Sequence, residues 1–389
     1  MLDIIIRNGR IIDPSQNIDK NGNIYIKGGV IVELDSRETE NIVAEREIDA
    51  SGCIITPGLI DSHLHAYYSG GSYKLNVPPD IACIPNGVTT CIDAGSSGPF
   101  TFESFYSGDI IHSVTTVKAM LHMSFNGIMP AGWDEIEDPR SFDIEMLKRI
   151  FYKHRDTIVG LKIRQHNQSV RGLGSAPLKA TVELANELNN EGLRCIVTVH
   201  VSDLPNNVTM EDIVEILRPG DVFTHTYQNR GKTIFDKDMK VLECIAEAKE
   251  RGIYFDSGCA TGMFAVKNVV KALKQGFYPD IIGTDLVGFN LYKRPLMSLP
   301  YVMSMFFNMG MRLDDVIKAV TATPANVYGI KDIAGSLSKG ENADISILKM
   351  VSHPSTYKDF YGESFTGDTL FLPMATIKEG RVVYQRLDM

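Results

Sequence analysis

Between residues 58 and 336 the chain alternates short apolar runs with segments whose apolar positions recur at helical spacing. The runs are Leu59–Ser62, Val88–Ala94, Thr115–His122, Ile158–Ile163, Arg194–Val199, Asp221–His225, Tyr254–Asp256 and Ile281–Thr284. Leu178–Glu191, Asp238–Arg251 and Thr261–Gln275 carry the 3.6-residue period between them. Parallel strands need crossovers long enough for a helix, so this alternation predicts a parallel βα array. Eight such units match an α/β fold of the (β/α)8 TIM-type barrel class, whose reactive residues lie at the carboxyl ends of the strands.

Both chain ends read differently. Asp3 to Arg7, Gly22 to Lys27, Gly29 to Leu34 and Glu47 to Ala50 are short strand-like stretches punctuated by Asn8-Gly9 and Lys27-Gly28-Gly29. Asp344 to Lys349, Met374 to Lys378 and Arg381 to Tyr384 repeat the pattern at the other end. Neither end has strands enough to bury a face alone, which predicts a small β-sandwich built from the N- and C-terminal segments. The expected division is 1–57 with 337–389 for the sandwich and 58–336 for the barrel, within the reach of a 389-residue chain. The Met-rich stretch Met297 to Met311 has helical spacing and is expected to pack the last barrel helix.

Composition narrows the partners. Lys plus Arg number 39 against 48 Asp plus Glu, a net charge of −9 with no long basic cluster. That argues against nucleic acid or an anionic membrane and favours a small-molecule substrate. No apolar run reaches the length of a membrane span, and Met1 to Arg7 lacks the charged and apolar regions of a secretion signal. The six cysteines are scattered without a CxxC, as expected of reduced thiols in a cytoplasmic protein. The residues leave the oligomeric state open, a homo-oligomer included.

Candidate chemistry begins at Ile54-Ile55-Thr56-Pro57-Gly58-Leu59-Ile60-Asp61-Ser62-His63-Leu64-His65. Residues i and i+2 of a strand share a face, so both imidazoles can turn to one metal ion. Further ligands should then fall at other strand ends. Lys162 closes the fourth run, His200 follows the fifth, His225 closes the sixth and Asp285 follows the eighth. Taken singly, Lys162 can reach solvent and Asp285 can cap a helix; the joint pattern is more specific than any member. His112, His122, His154, His166 and His353 lack partners at ligand spacing, although His122 and His166 lie at or just after strand ends.

These motifs, with Gly87-Val88-Thr89-Thr90, Thr284-Asp285, Thr321-Ala322-Thr323-Pro324-Ala325, Gly335-Ser336-Leu337 and Ala343-Asp344-Ile345, resemble the amidohydrolase superfamily over nearly the whole chain. Thr89-Thr90-Cys91-Ile92-Asp93-Ala94-Gly95-Ser96 and Gly160-Leu161-Lys162-Ile163-Arg164 are similar to its dihydroorotase-like amidohydrolase/deacetylase branch. The resemblance implies two divalent metal ions, usually zinc, and a carbon dioxide-derived carbamate on Lys162 that bridges them. One ion would take His63, His65, Lys162 and Asp285, the other Lys162, His200 and His225. A bridging hydroxide would be the nucleophile and Asp285 the proton shuttle, which makes Asp285 and Lys162 the expected catalytic residues.

Substrate contacts are less specific. Arg164 shares the strand face of Lys162 and can pair with a carboxylate or serve as a structural ion-pair partner; Lys293 and Arg294 are alternatives. Tyr227 and Asn290 follow ligand positions and are candidate lining residues. Where relatives in the branch commonly carry Gly-His-Gly after strand seven, this chain reads Gly258-Cys259-Ala260, so Cys259 replaces a histidine. The leading expectation is a hydrolase of an amide or ester bond in a small acylated substrate bearing a carboxylate, a deacylase or deacetylase. A cyclic amidase of dihydroorotase or hydantoinase type would use the same ligands. A mononuclear deaminase would not need Lys162, and a non-catalytic scaffold predicts missing ligands.

Overall fold

In the computed structural model, described outside residues 34–42, 73, 129–136, 260–261 and 294–295, two sheets organise the chain. Leu34, Ala260, Thr261 and Arg294 lie outside the described residues. The first sheet joins β1 (Leu2–Asp13), β2 (Ile18–Lys27), β3 (Val30–Val32), β4 (Ala44–Asp49) and β5 (Ile54–Pro57) to three strands near the C-terminus. The second is seven-stranded and parallel: β6 (Leu59–Leu64), β7 (Val88–Asp93), β8 (Thr116–His122), β9 (Ile158–Gln165), β10 (Ile196–Val201), β11 (Val222–Thr224) and β12 (Tyr254–Asp256). The first sheet is completed by β13 (Ile345–Lys358), β14 (Ser364–Lys378) and β15 (Arg381–Gln385).

The termini do pair, through β5 against β13, but they form one branched mixed sheet rather than the two separately paired layers of a sandwich. The branch is at β1. Its Leu2–Arg7 stretch pairs with β4 and its Arg10–Ile11 stretch with β5. A separate apolar cluster including Ile6, Ile26, Ile48, Ile55, Ile345 and Ile377 stabilises this sheet. The hairpin of β13 and β14 is far longer than the apolar pattern predicts, because Ser352-His353-Pro354-Ser355 interrupts the run and coincides with a register shift.

In the parallel sheet, alternate residues face two different cores. Ile60, Ile92, Met120, Ile196, Val222 and Ile281 gather inside with Tyr328, whereas Leu161, Ile163, Val197, Val199 and Phe223 join the larger cluster beneath the helices; Val159 joins the inner group out of turn, where the register of β8 against β9 shifts. The expected eighth strand is reduced to single parallel bridges, Asp256↔Ile281 and Leu64↔Leu286, that tie this segment to both edge strands. Its backbone departs from extended geometry at Asp285, which has φ +50°. Among the described residues, no helix is long and apolar enough to cross a membrane.

Candidate metal centre

Strand periodicity delivers some of the expected ligands directly and others only through local irregularity. On β9, Leu161 and Ile163 face the helices, so Lys162 and Arg164 face inward; on β10 the same alternation turns His200 inward behind Ile196 and Thr198. His225 would continue the outward face of Phe223, but its φ of +62° re-aims it. The register of β6 against β7 shifts between Asp61 and Leu64, next to His63. Left-handed backbone at His225 and Asp285, neither a glycine, costs about 1–3 kcal/mol each.

Three of the expected ligands converge: one ligand atom each from His63, His65 and Asp285 lies within 4.8 Å of the others, all buried, so this trio can hold a metal ion. Asp285 Oδ1 is 3.4 Å from His63 Nε2 and 3.3 Å from His65 Nε2. His225 is next, its Nδ1 3.9 Å from Asp285 Oδ2 and its ring 5.1 Å from that of His63; the His200 ring lies 4.3 Å from His225. Burial alone would raise the Asp285 carboxyl, yet the surrounding imidazoles hold it well below the usual carboxylate range. Burial pushes His225 down to about 3 and His200 downward too, which keeps both in the neutral form that binds metals.

Each imidazole has one nitrogen engaged by a neighbour. His63 Nδ1 donates to Asp256 Oδ2 at 2.7 Å, and Thr224 Oγ1 donates to the same oxygen at 2.6 Å. Ser96 Oγ donates to Asp93 Oδ2 at 2.6 Å and so accepts from His65 Nδ1 at 2.9 Å. His225 Nδ1 donates to the Gly258 carbonyl at 2.9 Å, and His200 Nε2 lies 2.7 Å from Ser202 Oγ. The other nitrogen of each ring could then bind a metal ion, with the outer partner setting the tautomer.

Lys162 tests whether the site fits such ions. It is 1% exposed, and among the described residues its Nζ has no hydrogen-bond partner. An unpaired buried ammonium is costly, and burial lowers this amine to about 8, so about a tenth of it is the neutral nucleophile at neutral pH. Carboxylation would turn it into an anionic ligand, which fits the donor set around it. Its stem passes over Gly95, where a Cβ would stand 2.6 Å from Lys162 Cγ and where φ is +90°. Gly95→Ala is therefore expected to destabilise the protein by about 1–3 kcal/mol and to lower activity by displacing Lys162. Thermal melts alongside turnover check this, and unchanged values would remove the constraint.

Sequence reasoning missed Asp256, although it ends a predicted strand as the other site residues do. It also missed Glu137, whose Oε1 lies 3.4 Å from His122 Nε2 with both side chains fully buried; Glu137 stands in a loop with no pattern to mark it. Asp61, in the same motif as His63, accepts from Thr284 Oγ1 at 2.7 Å, and burial raises its carboxyl to about 7. Arg164 is half-buried, and its charge acts on Lys162 and His200. Cys259 and Asn290 are buried and line one cavity. Tyr227 is placed apart from these: it is fully buried in the main apolar cluster, its hydroxyl donating to the Phe277 carbonyl at 3.3 Å.

Comparison with known proteins agrees with this chemistry. Residues 54–383 match the model of the amidohydrolase family. A deacetylase of Agrobacterium fabrum is 29% identical over 84% of this chain and 78% of its own length, and one of Enterococcus faecalis is 26% identical over 98% of both. A dihydroorotase of Aquifex aeolicus is 24% identical over 99% of this chain and 100% of its own. Among solved structures, an adenine deaminase superposes with a TM-score of 0.88 at 25% identity, covering 99% of this chain and 100% of its own. A dihydroorotase does so with 0.87 at 27%, covering 99% and 98%. The matched region spans every histidine, lysine and aspartate of the buried cluster, and the chain belongs to the amidohydrolase family as a hydrolytic enzyme.

Proposed function

We propose that the protein is a metal-dependent deacylase that hydrolyses the amide or ester bond of a small acylated substrate bearing a carboxylate. The observation that carries this reading is the buried group of His63, His65, His200, His225 and Asp285 near Lys162, whose Nζ has no hydrogen-bond partner among the described residues. Deacetylases among the relatives support the acyl-transfer chemistry. In this reading the segment at Ile281–Leu286 is the eighth stave of a (β/α)8 barrel, and the domains divide as 1–57 with 337–389 and 58–336.

His63, His65, Asp285 and carboxylated Lys162 would hold one divalent cation, and Lys162, His200 and His225 the other, with zinc suited to so many imidazoles. Such a pair, when bound, lowers the pKa of water and polarises a carbonyl. The chain's own residues do the rest. Asp285, ionised and buried among imidazoles, accepts the proton of the attacking water and passes it to the leaving nitrogen or oxygen. Asp256 and Ser96 fix the tautomers of His63 and His65, and Arg164 pairs with the substrate carboxylate.

Cyclic amide hydrolysis would use the same residues, and the dihydroorotase relatives support it as the second reading. Metal-loaded enzyme should therefore be assayed on N-acyl amino acids, O-acyl hydroxy acids, cyclic ureides and adenine. Turnover of the acyl compounds is expected; turnover of cyclic ureides or adenine alone would overturn the deacylase reading. Arg164→Met is expected to raise KM about ten- to a hundredfold for an acidic substrate and much less for its neutral ester. An equal change for both would make Arg164 structural.

A further inference from the structure

Beside the metal centre, a cavity of about 440 Å3 opens between the last strands of the parallel sheet and the hairpin of the terminal sheet. Cys259 and Asn290 form its inner side. Cys259 follows Gly258, whose carbonyl accepts from His225, and its thiol lies within reach of the Asp285 charge. The floor is Tyr301 and Met305, on the helix Leu299–Asn308.

The outer wall belongs to the other sheet. Tyr357 and Phe360 come from the tip of the β13–β14 hairpin, and the tip is fastened to the loop after β12: Asp359 Oδ2 accepts from Val266 N at 2.9 Å, and the Tyr361 hydroxyl donates to the Gly262 carbonyl at 2.8 Å. The Tyr357 and Tyr301 rings pack 5.0 Å apart, and Asn308 Nδ2 donates to the Tyr357 hydroxyl at 3.1 Å. The cavity is therefore built from both sheets, apolar within, with exposed Lys293 and Lys358 at its rim.

Its place relative to Arg164 assigns an occupant. The strands run β9, β10, β11, β12 in the sheet, carrying Arg164, His200, His225 and Cys259 in that order at or just past their ends. His200 and His225 lie between Arg164 and the cavity in this order. A substrate whose carboxylate meets Arg164 and whose reacting carbonyl sits over the histidines extends its acyl group toward Cys259. We infer that this cavity is the acyl subsite, that it takes an apolar acyl group larger than acetyl, and that the terminal sheet sets acyl selectivity through Tyr357 and Phe360. The inference rests on the deacylase reading above.

The test separates binding from turnover. On the Asp285→Asn background, calorimetry with metal-loaded protein should show N-hexanoylglycine binding at least about tenfold tighter than N-acetylglycine, the scale of discrimination an apolar pocket gives for added methylenes. Thr356 is an exposed strand residue lining the cavity, so Thr356→Trp fills it with a side chain that strands accommodate. That variant should weaken hexanoyl binding at least about tenfold and leave acetyl binding unchanged; Phe360→Ala, at a residue 64% exposed, should weaken hexanoyl binding alone. Equal affinity for both acyl lengths, or equal losses for both in these variants, overturns the acyl subsite. Selective hexanoyl binding by the Asp285→Asn protein, with the metal-loaded native enzyme hydrolysing neither compound, upholds the subsite and overturns the deacylase reading.

Discussion

Asp285→Asn is expected to retain metal and to lose at least about a hundredfold in turnover, close to 2.7 kcal/mol of transition-state stabilisation. The amide keeps an oxygen that can face a cation, and its volume matches the carboxylate, so the packing against His63 and His65 survives. It cannot take a proton from water. The native carboxyl is held ionised despite its burial, which is the state a base needs before attack. Turnover measured beside metal content checks this; near-normal turnover in a metal-replete variant would remove Asp285 from the proton path.

Lys162→Met carries the second large effect. The variant is expected to hold one ion fewer per chain and to lose more activity than the roughly 10–100-fold typical of removing an outer partner of a ligand. Its metal-free stability should nevertheless equal or exceed that of the metal-free native chain, because methionine fills the same space without an unpaired buried amine. Thermal melts of both metal-free proteins read this directly. A stability drop together with unchanged metal content would mean that the lysine is structural.

The parallel sheet and the inward side chains of β9 and β10 are legible because both follow simple periods. An apolar residue on β9 or β10 sends its neighbour inward, so Lys162 and His200 could be placed from alternation alone. His225 and Asp285 could be placed only by analogy with that pattern, since their left-handed backbone is written in no local signal. Asp256 was readable in principle as an acid closing an apolar run. Glu137 was not, because its pairing with His122 depends on a loop whose course no period describes. The terminal segments were read as pairing, but their expected sandwich is a branched sheet, as strand patterns alone do not show that β1 divides its hydrogen bonds between β4 and β5. The long hairpin has no simple period because its tip mixes aromatic with polar residues and is irregular, suited to reach the loops of the parallel sheet rather than to continue a core.

Metal content together with the chemical state of Lys162 tests the central claim most directly. In protein prepared with zinc and bicarbonate, a crystal structure with elemental analysis is expected to show two divalent ions per chain bridged by a carboxylated Lys162. A single ion beside an unmodified Lys162 in a metal-replete sample would contradict the account.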